Sequence, residues 1–159
     1  MSGVRVIVLG NEAAGDDGAA LAAARAATAD SDLEVVFAGR PGVDLLELLD
    51  SEAAVVLVDV VQTGARPGAL VEVPLDAILD RAVASAPTSS HGFGPAEVLT
   101  LARSLGRALS RGGFLGVEGA RFDVGAPFTE GVEIAIPALA AAIRRVAGTL
   151  ERDACTSTE

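Results

Sequence analysis

The eight residues Ala54–Val61 constrain this chain more than any other stretch, because Ala-Val-Val-Leu-Val-Asp-Val-Val is β-branched and apolar almost throughout. A strand with one wet face alternates apolar and polar residues, whereas an unbroken apolar run belongs to a strand covered on both faces. Val4–Leu9 has the same character. A sheet covered on both faces needs helices on each side. Helix-like and strand-like segments alternate along the rest of the chain, which predicts an α/β protein with three α/β/α layers around a mainly parallel sheet.

The predicted elements follow from local signals. A helix is expected from Asp16 or Asp17 to about residue 29, with Ala20, Leu21, Ala24 and Ala27 on its buried stripe. Residues 34–38 read as a second strand, followed by the turn Gly39-Arg40-Pro41-Gly42 and a helix at Val43–Leu49. Residues 69–73 read as an edge strand stopped by Pro74, and 75–84 as a short helix. Pro95 suits the first turn of a helix reaching 109, and 114–117 is a further strand. A long helix is predicted over 134–150, with Pro137 near its start and Arg144 and Arg145 near its carboxyl end, where cations complement the helix dipole. Residues 1–151 read as one domain and 152–159 as a disordered polar tail.

Charge and composition narrow the function classes. A net charge of −10 argues against nucleic acid, which demands a basic footprint. The apolar runs fall far short of the roughly 18 residues of a membrane span, and the chain enters a strand directly, with no leader-like segment. Cys155 is the sole cysteine, so no intrachain disulfide or thiolate zinc site can form. These features predict a soluble, cytoplasmic protein, with a monomer as the default.

In parallel α/β sheets, ligands gather outside the carboxyl ends of the strands. Two acidic stretches converge there. Asp16-Asp17-Gly18 follows the first strand through a turn that also holds Glu12, and Asp59 closes the third strand. Three carboxylates in the first turn would repel a phosphate, and Gly10-Asn11-Glu12-Ala13-Ala14-Gly15 lacks the middle glycine of a dinucleotide fingerprint. A cation is the better guest. His91, the single histidine, lies in the loop Pro87-Thr88-Ser89-Ser90-His91-Gly92. Asp17, Asp59 and His91 together offer two oxygens and one imidazole nitrogen, a donor set for a borderline divalent ion such as Ni, Fe, Mn or Zn.

Each of these residues also has a plain structural role open to it. A lone Asp at a helix start commonly caps it, and a lone loop histidine is commonly a surface residue. Because two acids are adjacent, the cap is assigned to Asp16 and the metal-facing role to Asp17; Asn11 is expected to hold the turn by local hydrogen bonds. Asp59 is harder to explain structurally, since a charge among valines is costly to bury without a partner. Ser89 and Ser90 neighbour His91, but no Gly-x-Ser-x-Gly elbow is present to make a serine nucleophile.

The order Gly10-Asn11-x-x-x-Gly15-Asp16-Asp17-Gly18, then Val58-Asp59-Val60, then a Ser-x-His-like loop before a helix resembles the hydrogenase maturation endopeptidases over nearly the full length. The resemblance implies a phosphorylase/hydrolase-like α/β/α fold and removal of a C-terminal peptide from the large-subunit precursor of a nickel–iron hydrogenase. It implies that Asp17, Asp59 and His91 serve as the catalytic and metal-contacting residues, with nickel supplied by the substrate rather than resident. Two positions depart from the family pattern. Ala38 stands where an acid often opens the turn after strand two, and Ala13 where an apolar Leu is usual. The Ala38 departure keeps open a non-proteolytic, metal-sensing binding or chaperone module of the same fold. A small hydrolase with a resident divalent metal is a further alternative.

Overall fold

The computed structural model describes residues 3–39, 43–49, 52–78, 95–108 and 110–157. His91, Ser89, Ser90, Arg40 and the second half of the helix predicted over 75–84 lie outside the described residues. Five strands, β1 (Val4–Leu9), β2 (Glu34–Gly39), β3 (Ala54–Val61), β4 (Leu70–Pro74) and β5 (Gly112–Glu118), form one sheet in the order β2-β1-β3-β5-β4. β2, β1, β3 and β5 run parallel, and β4 joins β5 antiparallel at the edge. The two valine-rich runs therefore lie side by side inside the sheet, and in β1 only Arg5 keeps partial exposure. Every residue of β3 is buried.

Helices α1 (Ala19–Thr28) and α4 (Glu130–Thr156) cover one face, packing on Val6, Val8, Val56, Val58, Leu115 and Val117. Helices α2 (Val43–Leu49) and α3 (Pro95–Ser104) cover the other, packing on Ile7, Leu57, Val61 and Phe114. The three predicted layers are present. Within α1 the buried stripe is Ala19, Ala20, Ala23, Ala24 and Ala27, so alanine alone faces the core and Leu21 sits half-buried beside it. Small side chains let α1 lie close to both the sheet and α4.

Several helix boundaries differ from the sequence reading, for identifiable reasons. α3 ends at Ser104 instead of 109 because Gly106, at φ +70°, turns the chain: Arg107 N–H donates to the Ala102 carbonyl and Gly106 N–H to that of Arg103. That pair of bonds is a Schellman stop. α4 starts at Glu130, a turn before the predicted 134, which leaves Pro137 inside the helix rather than at its opening. The same helix continues to Thr156, so residues 152–156 of the expected disordered tail are helical. Thr149, Thr156 and Ser157 hydroxyls return hydrogen bonds to the carbonyls of Arg145, Arg152 and Asp153 along this end. Arg144 and Arg145 consequently lie mid-helix, and Arg145 pairs with Glu72 of β4 at 2.6 Å instead of serving the helix dipole. Among the described residues no helix is long and apolar enough to cross a membrane.

Candidate functional site

The site grows from the place where β1 stops. Leu9 is the last strand residue, and Gly10, at φ +126°, redirects the chain while its N–H still reaches the Gly39 carbonyl at 2.8 Å. A Cβ at Gly10 would fall 2.2 Å from the Asp17 carbonyl oxygen, so the two backbone segments touch in a way only glycine permits. Asn11 then folds the turn on itself, as expected. Its side-chain oxygen accepts from Ala13 N–H at 3.0 Å and its carbonyl from Ala14 N–H at 3.0 Å.

Residues Gly15–Gly18 form one turn of 3-10 helix, and α1 proper begins only at Ala19. Neither acid caps α1: its N-cap is Gly18, with no side-chain hydrogen bond. Successive residues of a 3-10 turn point about 120° apart, and the two aspartates accordingly serve different neighbours.

Asp16 is completely buried and accepts four hydrogen bonds from remote residues. Ala120 N–H and Arg121 N–H reach Oδ2 at 2.8 and 2.9 Å, Thr129 N–H reaches Oδ1 at 2.7 Å, and the Thr129 hydroxyl reaches Oδ2 at 2.5 Å. Burial pushes its pKa up, but the bonds from the Thr129 hydroxyl and the three amides outweigh burial and hold the carboxyl below the usual aspartate range. The assignment of Asp16 as helix cap is thereby corrected. The carboxylate instead ties the turn after β1 to the loop after β5 and to the residue preceding α4.

Asp17 is also buried and accepts Asn11 N–H at 2.7 Å. It lies close enough to Asp59 for its negative charge to act on that carboxyl. Asp59, near the carboxyl end of β3, shares the α2/α3 face with Val55, Leu57 and Val61. Across the ladder it faces Gly116 of β5. It accepts its neighbour Val60 N–H at 2.8 Å. Burial raises the Asp59 pKa to about 8; the Val60 bond opposes this, and the Asp17 charge adds to it. Two carboxyls from positions 42 residues apart thus meet at one rim, one of them holding its proton at neutral pH.

Glu118, the last residue of β5, is a buried acid that the sequence reading overlooked. It accepts Thr63 N–H at 2.8 Å, the Thr63 hydroxyl at 2.8 Å and Gly64 N–H at 3.0 Å, pinning the loop between β3 and β4. A single carboxylate ending an apolar strand was the available signal, as it was for Asp59. Among the described residues no three His, Cys, Asp or Glu side chains gather closely enough to hold a metal ion; the third predicted ligand, His91, is outside them. Ala38 lies near the end of β2, so no carboxylate enters the site from that position.

This is a three-layer α/β protein whose strand-end rim carries two buried acids, Asp17 and Asp59. Residues 20–146 match the model of the HycI family, hydrogenase maturation protease. The chain belongs to the hydrogenase maturation protease family, whose members are endopeptidases acting on hydrogenase precursors. It is similar to the [NiFe] hydrogenase maturation protease HybD from Thermococcus kodakarensis, at 25% identity over 91% of this chain and 99% of that one, with a TM-score of 0.68. The hydrogenase maturating endopeptidase HybD from E. coli shares the fold at 19% identity, 89% of each chain and a TM-score of 0.72. HycI from Thermococcus kodakarensis, also a [NiFe] hydrogenase maturation protease, shares it at 17% identity, 92% of this chain and 93% of that one, with a TM-score of 0.68. No curated protein matches the chain by sequence.

Proposed function

We propose that this protein removes the C-terminal extension of a nickel–iron hydrogenase large-subunit precursor once nickel has been inserted, and that Asp17, Asp59 and His91 grip that nickel. The observation that carries the reading is the pairing of Asp59 with Asp17: two buried acids sharing one rim, with the Asp59 proton retained to about pH 8. Burial makes an ionised Asp59 costly and keeps it protonated, so a metal arriving with the substrate relieves that cost by taking the proton's place. A precursor without nickel brings no such relief. The metal is then part of the substrate, and the site reads its presence before the peptide is cut.

The family membership and the likeness to [NiFe] hydrogenase maturation proteases support this substrate. In this reading the protein acts as a monomer in the cytoplasm. Substituting His91→Ala is expected to abolish cleavage of a nickel-loaded precursor, read as loss of the size shift on a gel, while circular dichroism stays unchanged. Full processing by that variant sinks the metal grip. A stable, uncleaved complex between the wild-type protein and the loaded precursor identifies a binding module instead. Stoichiometric, tightly held metal in the protein as purified identifies a hydrolase with a resident ion.

A further inference from the structure

We propose that Asp16 is a positioning residue for precursor processing, holding the turn that presents Asp17 to the substrate's metal; this rests on the metal-grip reading above. The Asp16 carboxylate accepts four hydrogen bonds, three at Oδ2 and one at Oδ1, all from donors 104 to 113 residues away in sequence. Fully buried and bound to these donors, Asp16 does not face an incoming metal. Its role is mechanical.

The attachment is reciprocal. Asp16 N–H donates to the Arg121 carbonyl at 2.7 Å, so backbone and side chain both bind the loop after β5. Packing leaves no slack: a Cβ at Gly15 would fall 2.5 Å from the Arg121 carbonyl oxygen, and one at Gly119 would fall 3.2 Å from the Asp16 Cβ. Asp17 is the next residue along this pinned turn. Its carbonyl lies against Gly10 and its side chain takes Asn11 N–H, so its direction is set by how the turn is seated. One carboxylate thus fastens the β1 turn to the β5 loop and to Thr129, immediately before α4. Loosening it lets the turn shift, and Asp17 moves with it.

The test is a double-mutant cycle in processing kinetics with nickel-loaded precursor. Asp16→Asn keeps the shape but turns one acceptor into a donor facing other donors. It is expected to raise KM about tenfold with kcat within about twofold, the pattern of lost binding rather than lost chemistry. Asp17→Asn is expected to raise KM at least as much. The double variant is expected to match Asp17→Asn alone, because a positioning residue has no further effect once the residue it positions is disabled. Multiplying KM effects in the double variant overturn the proposal, as does an unchanged KM for Asp16→Asn beside a raised one for Asp17→Asn. An unchanged KM for Asp17→Asn overturns the metal grip itself, and the positioning role with it. If Asp16→Asn does not fold, Thr129→Val, which removes only the hydroxyl bond, carries the test: a raised KM at unchanged melting temperature supports the proposal, and an unchanged KM overturns it.

Discussion

Replacing Asp59 by Asn should make the metal-free protein more stable at alkaline pH while disabling it. In the fold the Asp59 carboxyl titrates near pH 8, against 3.8 for an ordinary aspartate, chiefly because it is buried. Between those values the folded protein holds a proton that the unfolded chain releases, so wild-type stability falls as pH rises through that window. Each tenfold change in the acid constant is worth about 1.4 kcal/mol, which places the full penalty above pH 8 on the order of 6 kcal/mol as a ceiling. Relaxation and water entry around the charge reduce it, so a difference of about 2 kcal/mol or more between pH 5 and pH 8 is the working expectation. Asn does not titrate, yet its amide oxygen can still accept Val60 N–H. Urea unfolding of both proteins in chelator at several pH values reads the effect: the midpoint gap should widen with pH by about 1 M, taking a slope of about 2 kcal/mol/M. Parallel midpoints across pH 5 to 8 would refute the claim that Asp59 is buried as an acid.

Two further outcomes follow from packing. Gly10→Ala forces a Cβ to within 2.2 Å of the Asp17 carbonyl at a φ of +126°, so it should cost about 3 kcal/mol or more in denaturation and displace Asp17 even where the protein still folds. Phe114→Ala empties the core beneath α2 and α3 and should cost about 3–5 kcal/mol, read by the same denaturation, without altering the order of the rim residues.

Much of the architecture was legible because its determinants are local. The apolar runs at Val4–Leu9 and Ala54–Val61 require covering on both faces, and the structure pairs them directly. Pro74 marked an edge strand, and the edge is where β4 lies. The helix expected from Pro95 extends to 109 although Gly106 lies within that span, and the structure turns the chain at that glycine. Pro137 misled in the opposite sense. It marked a helix start, whereas α4 accommodates it internally after opening at Glu130.

The rim divides along the same line. Sequence alone determined that Asp17 and Asp59 follow strands of one parallel sheet, and such sheets bring their carboxyl ends to a common edge. It also carried the motif order that marks the family. Only the tertiary structure decided what Asp16 does. Asp16 is a plausible helix cap by local pattern, yet its partners Ala120, Arg121 and Thr129 are more than 100 residues distant. Asp59 acquires its raised pKa from burial and from Asp17, neither of which is written in its own neighbourhood. Hydrophobic periodicity is a property of a short segment, whereas the saturation of a buried carboxylate depends on what the rest of the chain brings to it.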